Sequence, residues 1–262
     1  MIDALVLTTA LSAAACAPGI ELSTSGEPTA TSVAAPVVLT DTVGFFLAES
    51  NAFDLPFSNS PHAPRLRFHI YSSNSGFFDL VPGVSSMMPL AGDFDGDGFD
   101  SVGLYDTERA EFLLKNVNTD GLPDSVFKFG PLGAKPVAGD FDGDGVDTVA
   151  VYLPSTGEFQ FQNGSSFLFG QTGGTPFAGD FDGDGLDTVG VMNPWNGTFY
   201  LKNTLAAGEP DVVLTLGFLA WQPLVGDFDG DGVDTIGRFN ASTGRVRYRV
   251  ANDPDAPIKT FL

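Results

Sequence analysis

Pro176-Phe-Ala-Gly-Asp180-Phe-Asp182-Gly-Asp184-Gly-Leu186-Asp187-Thr-Val-Gly190 is one of four copies of a single template. The others begin at Pro89, Pro136 and Pro223, and the leading aspartates Asp93, Asp140, Asp180 and Asp227 are spaced by 47, 40 and 47 residues. Periods of that length belong to propeller blades or to helical repeats, and the composition within a unit decides between them. Residues 175–181 read as a strand entering the acidic loop, and Thr148-Val-Ala-Val-Tyr-Leu153 as the strand leaving the loop one copy earlier. Pro154-Ser-Thr-Gly157 then makes a turn. Glu158-Phe-Gln-Phe-Gln-Asn163 alternates polar and apolar residues, the mark of a strand with one wet face, and residues 166–170 supply a fourth strand. Four short antiparallel strands in about 40 residues make a blade.

A fifth, worn copy precedes the others. Asp41-Thr-Val-Gly44 repeats Asp187-Thr-Val-Gly190 residue for residue without an acidic loop before it, and Pro36-Val-Val-Leu39 would be its first strand. The last copy runs from Pro223 to Leu262, with strands expected near 235–239, 246–250 and 258–262. The expected fold is therefore all-β: a β-propeller of five four-stranded blades over residues 36–262. An open array and a fragment of a larger ring are the competing arrangements. A strand exchanged between the two ends is one way to close the ring.

The acidic loops carry the chemistry. Counting from the leading Asp, carboxylates stand at positions 1, 3 and 5: Asp93, Asp95 and Asp97; Asp140, Asp142 and Asp144; Asp180, Asp182 and Asp184; Asp227, Asp229 and Asp231. Glycine follows at position 6, and an apolar residue at position 7 (Phe99, Val146, Leu186 or Val233) can offer its carbonyl while its side chain returns to the core. Calcium takes six to eight oxygen ligands, and a tight loop aims alternate side chains at one point. Two carboxylates about 4 Å apart repel by about 4 kcal/mol at an effective dielectric of 20, so such clusters are costly without a cation. With the position 8 acids Asp100, Asp147, Asp187 and Asp234, the loops hold 16 of the 33 acidic residues. The expectation is calcium in up to four sites, against the plainer alternative of solvated Asp-Gly turns. Leu104, Val151, Val191 and Arg238 occupy position 12, where an EF-hand needs Glu.

The units resemble FG-GAP or VCBS repeats, as in integrin-α-type β-propellers. Phe169-Gly170-Gln-Thr-Gly-Gly-Thr-Pro176 and the stretch from Phe129-Gly130 to Lys135-Pro136 carry the name-giving pieces, and the likeness covers nearly everything from Pro36 onward. The resemblance implies an extracellular or surface propeller with calcium on one face, serving adhesion or carbohydrate recognition, often at the opposite face. One departure stands out. The family's last acid is usually at position 9, where this chain has Ser101, Thr148, Thr188 and Thr235. Position 8 is thus either a substitute ligand or, as the survival of Asp41 without a loop suggests, a residue with a structural task at the strand start.

Composition narrows the function. A formal charge of −21 excludes a reader of nucleic acid and disfavours anionic lipid surfaces. One cysteine excludes a disulfide framework and a cysteine-ligated zinc site. Residues 1–15 read as an export signal, with an apolar core over 5–15, although no Lys or Arg precedes Arg65. Ala13-Ala-Ala-Cys16 resembles a bacterial lipoprotein cleavage site, which makes Cys16 a candidate lipid anchor, against an incidental thiol. Residues 16–35 form a Ser-, Thr-, Ala- and Pro-rich linker. The expected product is an exported, extracellular or cell-surface binding module with a protein or carbohydrate ligand. No catalytic motif is present, and a polysaccharide lyase or other hydrolase on the same scaffold is the alternative. His62 and His69 read as surface or strand histidines. Arg245, Arg247 and Arg249 alternate along one strand, either to hold an anionic ligand or to protect a sheet edge. Trp195, in a turn, is a candidate sugar platform or a packed hairpin residue.

Overall fold

The computed structural model describes residues 87–118, 122–217, 221–240, 243 and 245–261, together with the backbone of four earlier strands. The first sheet joins β1 (Ala4–Thr9), β2 (Thr42–Leu47), β3 (Ala52–Pro56) and β4 (Arg65–His69). The second joins β5 (Met87–Gly92), β6 (Ser101–Asp106), β7 (Glu111–Leu114) and β8 (Ser125–Lys128). The third holds β9 (Lys135–Gly139), β10 (Thr148–Leu153), β11 (Glu158–Phe161) and β12 (Ser166–Leu168). The fourth holds β13 (Thr175–Gly179), β14 (Thr188–Met192), β15 (Thr198–Leu201) and β16 (Val212–Thr215). The fifth holds β17 (Gln222–Gly226), β18 (Thr235–Asn240), β19 (Arg245–Arg249) and β20 (Ile258–Phe261). All pairings are antiparallel between successive strands.

The first strands of the five sheets neighbour one another in turn, β1 on β5, β5 on β9, β9 on β13, β13 on β17 and β17 back on β1. They therefore surround a common axis, and the sheets radiate from it as propeller blades. Closure comes from packing of the last blade on the first, with each blade built of consecutive strands, rather than from a strand exchanged between blades. The inner strand of the first blade is Ala4–Thr9, in register from Thr9 opposite Thr42 to Ala4 opposite Leu47. The sequence reading assigns this segment to the export signal and gives the strand to 36–39; residues 36–41 lie outside the described residues. The run Ala-Leu-Val-Leu-Thr-Thr has the β-branched and apolar content that a strand favours.

Burial follows the blade geometry. The second strands sit between neighbouring sheets, so β6 and β14 are buried on both faces. The third strands alternate: Phe112, Phe159 and Phe199 are fully buried, while Glu111, Glu158 and Thr198 are half-exposed. The fourth strands are the wet rim. The Phe-Gly piece explains itself here. Phe169 is buried, and Gly170 (φ 89°) passes so close to β14 that an added Cβ would lie 2.6 Å from Val191 Cγ2. Arg238, at the position where the other blades bury Leu104, Val151 and Val191, is equally buried. Its guanidinium lies over the Phe199 ring at 5.4 Å and donates to the Trp221 carbonyl at 3.2 Å, and burial lowers its pKa to about 10.

Candidate metal centres

Each acidic loop joins the first strand of a blade to its second, so antiparallel pairing puts all four loops at the same end of the ring. The loops fold alike because the position 1 carboxylate winds the backbone around itself. Asp140 Oδ1 accepts from Gly143 N–H at 2.7 Å and from Asp144 N–H at 3.1 Å, and its Oδ2 accepts from Gly145 N–H at 2.9 Å. Asp93, Asp180 and Asp227 repeat the arrangement. The position 5 carboxylate accepts from the position 7 N–H at 2.9 Å in all four loops: Asp97 from Phe99, Asp144 from Val146, Asp184 from Leu186 and Asp231 from Val233. Glycines at positions 4 and 6 have φ between 74° and 86°, which the winding requires.

The winding gathers three carboxylates per loop. In each of the triplets 93/95/97, 140/142/144, 180/182/184 and 227/229/231, one oxygen per residue lies within 4.8 Å of the other two, and positions 3 and 5 are exposed. Calcium–oxygen bonds are about 2.4 Å, so two ligands on opposite sides of one ion are about 4.8 Å apart. The donor set is all hard oxygen, which suits calcium or magnesium and no soft metal. Two of the position 3 acids are raised, by desolvation first and by crowding second. Desolvation, and then repulsion from Asp184 and Asp180, holds Asp182 above the ordinary carboxylate range; Asp229 is raised by desolvation, Asp231 and Asp227.

The position 7 side chains depart from the sequence expectation, while the position 8 acids make contacts of the structural kind that is one of their two expected roles. The position 7 side chains do not turn back into their own blade's core. Val146, Leu186 and Val233 lie over the position 4 glycine of the preceding loop, where an added Cβ on Gly96, Gly143 or Gly183 would come within 2.9, 2.6 and 3.0 Å of them. The reason is that the loop end of the ring is narrow enough for successive loops to touch. The position 8 carboxylates stand outside the triplets. Asp147 Oδ2 accepts from Asp93 N–H at 2.9 Å, Asp187 Oδ2 from Asp140 N–H at 2.9 Å, and Asp234 Oδ2 from Asp180 N–H at 3.1 Å. The same residues return a bond: Asp147, Asp187 and Asp234 N–H donate to the carbonyls of Asp93, Asp140 and Asp180. These acids are withdrawn from water. Desolvation, then repulsion from Asp187, pushes Asp147 and Asp234 up to about 8, and desolvation pushes Asp187 to about 6. Asp100 holds the equivalent place in the first complete loop, where its carbonyl accepts from Asn118 Nδ2 at 2.8 Å.

Two other expectations change. Arg245, Arg247 and Arg249 do not form an exposed cationic face: Arg245 is exposed, Arg247 half-buried and Arg249 only 7% exposed. Arg249 Nη1 donates to the carbonyls of Asp253, Pro254 and Ala256, and Nη2 to that of Thr215 in the preceding blade. Nor is the strand an edge, since β19 pairs on both sides. Trp195 is 65% exposed, in the turn between β14 and β15 at the end of the ring opposite the acidic loops. Its ring lies against Gly173 of the connection that precedes its blade. Asn193 holds that turn by accepting from Trp195 N–H at 2.9 Å and donating to Gln171 Oε1 at 3.1 Å. His62 lies outside the described residues and His69 ends β4.

No protein-family model matches the chain, and no curated protein matches it. A solved structure that does match is a lectin from Agrocybe aegerita, described as specifically recognising non-reducing terminal N-acetylglucosamine. The two are 15% identical and superpose with a TM-score of 0.47, over 84% of this chain and 62% of the lectin, so the chain spans less than two thirds of that protein. A likeness of this order says nothing about what the present chain binds.

Proposed function

We propose that the chain is a calcium-stabilised β-propeller of the FG-GAP/VCBS type, acting as an extracellular or surface module that binds a protein or carbohydrate ligand. The acid triplets carry this reading. The turns alone do not require an acid at every place: the position 5 carboxylate takes the position 7 amide on a single oxygen, and an asparagine oxygen would accept that bond without the repulsion. Aspartate nevertheless stands at all twelve triplet positions, with oxygens at the separation that one calcium ion bridges. Positions 1, 3 and 5 would hold the ion, and the ion would supply the positive charge that joins the two strands entering and leaving each loop. The opposite end of the ring is left for the ligand, with exposed Trp195 as a stacking platform for a sugar ring.

Equilibrium dialysis against radioactive calcium tests the metal, and four ions per chain are expected. A chain that retains no calcium at millimolar concentration refutes the proposal. A glycan array probed with and without calcium, beside a turnover assay on the same polymers, tests the module: calcium-dependent retention without cleavage supports binding, and cleavage overturns it.

A further inference from the structure

Among the described residues, three of the four acidic loops are gripped by the loop of the following blade, at the residue that leads the carboxylate triplet. Asp140 is fixed on both sides of its backbone, its N–H by Asp187 Oδ2 and its carbonyl by Asp187 N–H. Gly143, between Asp142 and Asp144, is capped by Leu186, whose Cδ2 would lie 2.6 Å from a Cβ added there. The same pair of contacts joins Val146 and Asp147 to the loop of Asp93, and Val233 and Asp234 to the loop of Asp180. Asp187 and its counterparts lie outside the triplets of their own loops.

We propose that positions 7 and 8 are positioning residues for the metal centre of the preceding blade, so that Leu186 and Asp187 set the calcium affinity of loop 140–145 rather than that of loop 180–185. The proposal rests on the calcium reading of the loops. Its physical content is preorganisation. A loop already held in its bound shape loses less conformational freedom when the ion arrives, and the whole of that saving appears as affinity. The grip crosses a blade interface, so an occupied loop also makes that interface more stable, by reciprocity between the two equilibria. The four acidic loops are thereby linked in one series, in which the centres of Asp93, Asp140 and Asp180 depend on side chains of the next loop.

The test is a calcium titration of the full chain followed by amide NMR, with Gly143 and Gly145 reporting one loop and Gly183 and Gly185 the next. In Asp187→Ala the apparent Kd at Gly143 and Gly145 should rise about tenfold, the scale of one lost hydrogen bond to a carboxylate, while Gly183 and Gly185 change by less than about twofold. Leu186→Ala keeps the position 7 carbonyl and should weaken the same preceding loop by about threefold through lost preorganisation. Asp187→Asn keeps an acceptor oxygen and should return loop 140–145 to within about threefold of the parent protein. If Asp187→Ala does not fold, these two milder variants carry the comparison. Loss at Gly183 and Gly185 with Gly143 and Gly145 unmoved would make Asp187 a servant of its own loop and overturn the proposal, as would no change at either. A parent protein in which none of these glycines responds to calcium would instead sink the metal reading itself.

Discussion

Stripping divalent cations from the ring should lower its melting temperature by about 10–20 °C, and the structure sets the scale. Each triplet holds three carboxylate oxygens within 4.8 Å of one another. Two unit charges at that distance repel by about 0.9 kcal/mol in bulk water, and physiological salt roughly halves the figure. The water value applies because positions 3 and 5 are exposed. Three pairs then cost about 1.5 kcal/mol per triplet and about 6 kcal/mol for four, less the part of the repulsion that the unfolded chain keeps. Linkage gives the same order. Calcium at about ten times its Kd contributes about 1.4 kcal/mol per site, again about 6 kcal/mol for four. A domain is stable by only about 5–15 kcal/mol, and each kcal/mol moves the melt of one this size by about 2–4 °C. The assay is a calorimetric melt in excess EDTA, in millimolar calcium and in millimolar magnesium, all at one ionic strength. Calcium should give the highest melt, since magnesium holds its waters and demands a stricter octahedron. Coincident melts in EDTA and calcium would refute the reasoning, and equal rescue by magnesium would reduce it to simple charge neutralisation.

Further outcomes follow from the same geometry. Asp147, Asp187 and Asp234 carry pKa values raised from 3.8 to about 8, 6 and 8, so between those limits the native chain binds more protons than the unfolded one. Stability without metal therefore falls as pH rises through this window, and melts in EDTA near pH 5.5 should exceed those near pH 8.5 by several degrees; the reverse order would contradict the burial of these acids. Gly170→Ala forces a Cβ to within 2.6 Å of Val191 and should destabilise by about 1–3 kcal/mol, whereas Gly164→Ala, with a similar φ and open space, should cost about 1 kcal/mol; equal denaturation midpoints would show that the approach to Val191 does not matter. Trp195→Ala should leave the melt within about 2 °C while removing retention on any glycan that the parent protein holds, because the ring is mostly exposed.

Much of this architecture was legible before any coordinates. The period-two alternation of Glu158-Phe-Gln-Phe161 reads directly as a half-buried strand, and β11 covers those four residues with Phe159 and Phe161 buried. Strand ends were less certain, since 175–181 shortens to Thr175–Gly179 once the position 1 carboxylate pulls the chain into its loop. The arginine trio of β19 was misread because alternation says which side chains share a face and not what lies against it. Arg249 spends its donors on carbonyls of the 253–256 turn and of the preceding blade.

The carboxylates at positions 1, 3 and 5 belong to the part that the chain determines by itself. Their convergence depends on hydrogen bonds spanning two to five residues, so spacing and glycine placement suffice to foresee it. The roles of positions 7 and 8 belong to the tertiary structure. Asp187 reaches Asp140 across 47 residues, and Asp147 and Asp234 reach Asp93 and Asp180 across 54. Contacts over such distances are set by how rigid blades are placed around an axis, and no local periodicity encodes that placement.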